Sequence, residues 1–345
     1  MISAVSSRYV SLKKKALSTV VVLVIAIIII VAAALGSYFL FFQGGTTSNG
    51  GNTNVTIGTA VGFSEVYYLP RIVAQEKGFW AQNGLNVTWQ KFLGAPAMYQ
   101  SFASDQLNVG LTNAGSSFDS ASRGVAVKIT GVYMNTTEFG IIVPANSTAK
   151  SMSDLNGSTF AVTATNGLEQ VYTEIVAQKF HIKVNYVQTG SLPNSLALLQ
   201  NGQAQAMDFT VGSVAALVNA GKLRVIYNVT NALPSPWAEF AITATNTFIQ
   251  NSPGTLKKIE TALSQTINYI VSNPSFAEGV ILNFTKSNAA VASLVYNTIK
   301  SSWNPSLSIS ATALTNVANV YVQYGITPSN IATNVSNVYT TQFVP

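Results

Sequence analysis

Between Ala16 and Phe42 the sequence is almost uninterruptedly apolar. Wound as a helix at ~1.5 Å per residue, such a run exceeds the ~30 Å hydrocarbon layer of a bilayer. One segment of the chain is thereby committed to a membrane before the rest is considered. Lys13, Lys14 and Lys15 stand directly before it, and clustered bases ahead of a spanning helix keep the N-terminus in the cytoplasm. Everything after Gln43 is then expected outside. The run is also much longer than the apolar core of an ordinary secretory signal, ~7–15 residues, so it is expected to remain as a transmembrane anchor. The chain accordingly divides into a cytoplasmic basic segment over 1–15, an anchor over 16–42 and a flexible tether over 43–54. The tether text, QGGTTSNGGNTN, offers nothing to bury and as a random coil reaches about 20 Å.

The formal charge of +6 overstates the basic character of the exported part, because Arg8, Lys13, Lys14 and Lys15 meet no carboxylate before Glu65. Charged residues make up 9% of the chain, against roughly 25% in ordinary globular domains, and Asn, Ser and Thr take over the surface. Without clustered Lys and Arg, nucleic acid is not an expected partner. A surface poor in carboxylates changes charge little as pH falls, which predicts tolerance of an acidic exterior. Cysteine is absent and His181 is the single histidine. No disulfide frame, thiolate nucleophile, Ser-His-Asp triad or metal centre is expected, and no cofactor. Glycosylation sequons at Asn54, Asn86, Asn135, Asn146, Asn156, Asn228, Asn283 and Asn334 agree with an exported chain.

From Val55 onward short β-rich runs alternate with amphipathic stretches, the pattern of an α/β fold with largely parallel strands. One set runs through Val55–Val61, a helix over Tyr67–Gln82, Leu85–Phe92, Leu107–Leu111 and Val125–Val132. A second set follows after Phe139, with strands at Thr159–Thr163, Val184–Gln188, Gln205–Phe209 and Leu223–Tyr227. Helical text then runs from Leu256 to Tyr324 and is expected to return to the first set. This gives lobe 1 over 55–138 and 240–345, and lobe 2 over 139–239. Two crossings, near Asn135–Ile142 and Asn228–Ile242, are expected to act as a hinge with a cleft between the lobes.

In such folds small molecules sit against the loops that leave strand C-termini. Phe63, Glu65, Tyr67 and Tyr68 follow the first strand and offer stacking faces and hydrogen bonds, although Tyr67 and Tyr68 serve equally well as core residues. Asn113, Ser116 and Ser117 open a helix and either hold a polar ligand group or simply cap it. Thr165 and Asn166 repeat that arrangement in lobe 2, ahead of the helix containing Glu169. Asp208 stands at a strand end, as a ligand acceptor or as a helix cap. Trp237, beside the second crossing with Glu239 near it, is either an aromatic wall or hinge packing. None of these loops carries an Arg, the usual bidentate partner of carboxylate and sulfonate groups, so a neutral or amine-bearing ligand fits better than an anion.

Two resemblances sharpen this reading. Lys14, Lys15, Ala16, Leu17, Ser18 and Thr19, followed by the apolar run, resemble the prepilin-type signal of archaeal pilins and of some archaeal binding proteins. That likeness implies cleavage between Ala16 and Leu17 with the helix left on the mature chain. Further on come Pro70, Ala74, Glu76, Lys77, Gly78 and Phe79, then Gly84 and Leu85, the stretch Asp105–Gly110 leading to Asn113 and Ala114, Asp154, Leu155 and Gly157, and Leu198, Gly202, Met207 and Asp208. In this order they resemble the NMT1-like binding proteins that serve nitrate, sulfonate, taurine and thiamine-pyrimidine transporters. The resemblance covers roughly Val55–Phe284, and the text after Ser287 matches none of it. It implies an α/β, two-lobed periplasmic-binding-protein fold of type II with two hinge crossings. It also implies a small-molecule solute and partnership with an ABC permease and ATPase. One branch, fungal pyrimidine synthases, needs clustered cysteines, histidines and iron, which this chain lacks. The alternative is a structural or pilin-like surface subunit assembled through the N-terminal helix.

Overall fold

The computed structural model describes residues 52–60 and 65–345; the basic segment, the anchor, most of the tether and Phe63 lie outside them. Among the described residues no helix is long and apolar enough to cross a membrane.

The first part of the chain supplies β1 (Thr53–Ala60), α1 (Leu69–Glu76), α2 (Phe79–Gln82), β2 (Leu85–Phe92), α3 (Gly94–Ala103), β3 (Val109–Asn113), α4 (Ala114–Ser122) and β4 (Val127–Met134). The second supplies β5 (Phe139–Pro144), β6 (Thr159–Val162), α5 (Leu168–Lys179), β7 (Asn185–Gln188), α6 (Leu192–Gln200), β8 (Ala206–Thr210), α7 (Val211–Asn219) and β9 (Leu223–Asn228). β10 (Phe240–Thr245) then precedes α8 (Asn246–Asn251), α9 (Pro253–Ser272), α10 (Pro274–Thr285), α11 (Ala289–Ile299) and α12 (Ala311–Gln323).

The strands form two five-stranded sheets, ordered β2-β1-β3-β10-β4 and β7-β6-β8-β5-β9. The two sheets repeat one plan. In each, three strands pair in parallel, β2-β1-β3 and β7-β6-β8, and the fourth is antiparallel to both its neighbours, β10 in one and β5 in the other. These antiparallel strands are the ones entered directly after the chain passes between sheets, through 135–138 and 229–239. The strand C-terminal ends of both sheets, with the helix starts that follow them, are thereby turned toward one seam.

The helix expected over Tyr67–Gln82 is instead a 3-10 turn at Glu65–Tyr68 followed by α1 and α2. Gly78 separates them at φ +68°, a left-handed position that residues with a Cβ adopt at a cost. In the C-terminal part, α9 buries Leu256, Ile259, Leu263, Ile267 and Ile270 along one stripe and packs on α1, each such side chain contributing roughly 1.5–3 kcal/mol of apolar burial. α12 packs on α4. Of the helices expected to return to lobe 1, α11 packs on α10 and its Tyr296 hydroxyl donates to the Ile270 carbonyl of α9, while it also lies along α7 of the second sheet. Its buried Val291, Ala292, Val295 and Ile299 join the core that also takes in Ala277, Val280 and Ile281 of α10 and Ala215 of α7.

Candidate functional site

On lobe 1 the seam is a closed set of hydrogen bonds. Asn113, at the end of β3, caps α4: its Oδ1 accepts from the Ser116 amide at 2.7 Å and from the Tyr321 hydroxyl at 3.2 Å, while its Nδ2 donates to Ser116 Oγ at 2.9 Å. Ser117 turns the other way. It is fully buried, 2.8 Å from the Tyr99 hydroxyl and 2.9 Å from Thr243 Oγ1, and belongs to the lobe core. Gly115 lets the α12 residue Tyr321 lie on the first turn of α4, since a Cβ there would stand 1.9 Å from the Tyr321 ring.

On lobe 2, Thr165 is exposed and donates its hydroxyl to Gln188 Oε1 at 2.6 Å. Asn166 is exposed at φ 56°, its amide donating to Gln170 Oε1 at 2.9 Å. Behind them Glu169 is buried and accepts from Thr163 Oγ1 at 2.7 Å. Asp208 departs from its expected place at a strand end. It sits mid-strand opposite Ile141, and β8 continues to Thr210, which is the residue preceding α7. Alternation along β8 puts Met207 and Phe209 in the outer core of the lobe and Asp208 on the opposite face with α5. Asp208 is fully buried, with the Thr173 hydroxyl beside its carboxyl.

The crossings supply the floor. Tyr67 is fully buried, its hydroxyl accepting from the Glu138 amide at 2.9 Å and its ring 4.4 Å from that of Phe240 and 6.1 Å from that of Phe139. Tyr68 faces inward too and accepts from the Ala60 amide at 3.1 Å. Trp237 donates Nε1 to Glu239 Oε2 at 2.8 Å, and the Tyr172 hydroxyl donates to the same oxygen. Glu138 Oε1 and the Tyr133 hydroxyl find no partner among the described residues, and the Thr137 hydroxyl stands beside the Glu239 carboxyl. The Glu65 backbone begins the 3-10 turn that leads to Tyr67.

Electrostatically this floor is unusual. Burial pushes the carboxyls of Glu138 and Glu169 up to about 8 and that of Glu239 to about 7. Burial, with the charges of Glu169 and Glu239 added, raises Asp208 well above the usual carboxylate range. No described Lys or Arg pairs with any of the four. Sequence reasoning missed Glu138, Tyr133 and Tyr172. A signal existed for the last, because Glu169, Tyr172, Thr173 and Val176 fall on one helical face in α5.

A cavity of about 640 Å³ lies between the lobes, bounded by Tyr99, Ser116 and Arg123 from lobe 1, by Asn166, Gln170 and Glu174 from lobe 2, and by Tyr321 and Tyr324. Arg123 is held by Asp119 at 3.0 Å. The lips approach closely, for a Cβ on Gly94 would lie 3.0 Å from Ala164 Cβ. A second hollow, about 550 Å³, is lined by lobe 2 alone, between Pro144–Ser147 and α6. Of the residues expected at a site, Ser116 and Asn166 line the interlobe cavity, whereas Asp208, Trp237 and Tyr67 are buried outside its lining. Ser117 and Tyr68 are turned into lobe packing, and Thr165 is on the surface.

Comparison with known proteins gives a consistent picture. The family model described as NMT1/THI5 like matches residues 65–277. A relative from Brucella abortus, whose name speaks of binding without stating a ligand, is 23% identical over 238 residues, 67% of this chain and 72% of its own. Among solved structures, a Candida albicans gene product described as having the generic periplasmic binding protein fold superposes with a TM-score of 0.73 at 11% identity, covering 85% of this chain and 97% of that one. The alkanesulfonate-binding protein of Xanthomonas axonopodis pv. citri, solved with MOPS, superposes with a TM-score of 0.69 at 14% identity, covering 85% and 99%. At such identities the structural likeness is one of fold.

Proposed function

Because the chain belongs to the NMT1/THI5-like family, we propose that it is the extracytoplasmic solute-binding protein of an ABC import system, capturing a small molecule between its lobes and delivering it to a permease driven by an ATPase. The observation that carries this reading is the cavity of about 640 Å³ where helix starts from both sheets meet. Open and closed arrangements interconvert about 135–138 and 229–239, and the ligand touches both lobes only when they are closed. The permease recognises the closed form. On this reading 55–138 with 240–345 grip from one side and 139–239 from the other. Ser116 and Asn166 touch the solute at the cavity wall, and Phe63, Glu65, Tyr67, Asp208 and Trp237 are the further candidates on the sequence. The family supports binding rather than catalysis.

The apolar run over 16–42 holds the domain on the outer face of the cell membrane, whether or not the chain is cut between Ala16 and Leu17. The sequon residues Asn54, Asn86, Asn135, Asn146, Asn156, Asn228, Asn283 and Asn334 are all exposed, which suits a glycoprotein. Thermal-shift screening against sulfonates, carboxylates, amino acids, pyrimidines and nitrate tests the reading. A bound ligand at about 100 times its Kd adds about 2.7 kcal/mol of stability. A flat response across the panel contradicts solute capture and favours a structural surface subunit.

A further inference from the structure

One wall of the interlobe cavity comes from a part of the chain that the family match does not reach. The matched residues end at 277, yet Tyr321, Tyr324, Gly325 and Ile326 line the cavity. They belong to the end of α12 and the turn after it, and this turn is fastened from both lobes. On lobe 1, the Tyr321 hydroxyl donates to Asn113 Oδ1 at 3.2 Å and Thr327 Oγ1 donates to Asp119 Oδ1 at 3.3 Å. On lobe 2, Gln178 Nε2 donates to the Tyr324 carbonyl at 3.2 Å. The Ile326 and Thr327 amides fold back on the Tyr321 carbonyl at 2.8 and 3.1 Å, with Gly325 making the turn at φ +69°. Tyr324 is thus held through its backbone. Its side chain is half-buried, and its hydroxyl makes no hydrogen bond to a described group.

Much of the hydrogen-bonding capacity around the cavity is already used. Arg123 gives Nε to both oxygens of Asp119 at 3.1 Å, Glu174 Oε2 receives the Tyr186 hydroxyl at 2.8 Å, and the Tyr99 hydroxyl is 2.8 Å from Ser117 Oγ. What remains is chiefly capacity to donate. Ser120, in α4, lines the cavity at 6% exposure, and its hydroxyl has no partner among the described residues. Ser116 Oγ and Gln170 Oε1 accept from Asn113 Nδ2 and from the Asn166 amide, both at 2.9 Å, which leaves the Ser116 proton and Gln170 Nε2 unused. α5 starts beside them with no side-chain cap. A nearly buried hydroxyl without a partner is costly, and an acceptor brought to it removes that cost. We propose that Ser120 and Tyr324 touch the solute, each donating its hydroxyl to an acceptor atom on it, and that Tyr324 is the residue that decides how bulky a solute fits. This rests on the solute-binding reading above.

The test is isothermal titration of the full-length chain with three pairs of probes that share a polar group and differ in bulk: acetate and benzoate, methanesulfonate and benzenesulfonate, glycine and phenylalanine. At least one probe should bind the wild-type chain. Tyr324→Phe and Ser120→Ala should each weaken that binding about three- to tenfold. Neither lost hydroxyl has a partner in the fold, so the melting temperature without probe should stay within about 2 °C. Tyr324→Ala should move the preference within the pair toward the bulkier member by at least about threefold, a change that a general loss of stability does not produce. An affinity left unchanged by Tyr324→Phe or by Ser120→Ala removes that residue from the site, and a preference left unchanged by Tyr324→Ala overturns its role in selection; in each case solute capture stands. Failure of every probe to bind the wild-type chain contradicts solute capture itself, and the assignment falls with it.

Discussion

The two walls of the cleft grow from equivalent strand ends, yet they satisfy themselves differently. On lobe 1, Asn113, Ser116 and Tyr321 at the seam, and Ser117 with Tyr99 and Thr243 behind it, hydrogen-bond one another. On lobe 2 and the crossings, Asp208, Glu239 and Glu138 carry carboxyls raised by desolvation, with no described Lys or Arg paired to them. A satisfied wall is rigid and fixes shape, because opening it leaves polar groups without partners. Carboxyls buried without a counter-charge stay neutral, and their ionisation as pH rises opposes folding.

That contrast can be broken from either side. The largest effect is expected at Gly115→Val, where the new side chain collides with the Tyr321 ring. Urea denaturation should give a loss of about 2–4 kcal/mol, and an unchanged midpoint would mean that the lobe 1 wall is soft.

Next comes pH. Glu138, Glu169, Glu239 and Glu260 have folded values of about 7–8, above the roughly 4 of an unfolded carboxyl. Their contribution to stability is full below about pH 4 and is lost as pH rises toward 8. Calorimetry should find a melting temperature at pH 8 at least about 5 °C below that at pH 5, with the slope flattened in the Asp208→Asn, Glu239→Gln double variant. A melting temperature that climbs over this range contradicts buried neutral carboxyls. A smaller loss, about 1–2 kcal/mol, is expected for Asn113→Ala, which removes the cap of α4 and the acceptor for Tyr321. Thr165→Val, on the exposed lip, should stay within about 0.5 kcal/mol.

What the sequence made legible follows the same division. Strands with β-branched runs and glycine-bounded turns, such as Leu85–Phe92, emerge at their expected limits. The two sheets follow from the alternation of elements. The break at Gly78 was missed because the apolar spacing on either side of it continues the helical period, while the turn needs a left-handed residue. Asp208 was misplaced by two residues because Phe209 and Thr210 suit a strand and a helix start equally, and only pairing with β5 decides. Ser117 reads as a site residue from its loop, but its rotation into the core depends on Tyr99 and Thr243, distant in sequence. The carboxyl floor was least visible of all. Glu138, Glu239 and Asp208 lie on three separate segments, and their common desolvation is a product of tertiary packing.

The central claim is that a solute is gripped from opposite sides by two bodies that move about the crossings. The chain has no cysteine, so labels at Ser104→Cys on lobe 1 and Ala197→Cys on lobe 2, both exposed, report the interlobe distance directly. Single-molecule energy transfer on the full-length chain should show a broad distribution that collapses to one shorter distance when a solute that raises the melting temperature is added. A distance unchanged by such a solute at saturation would contradict the account.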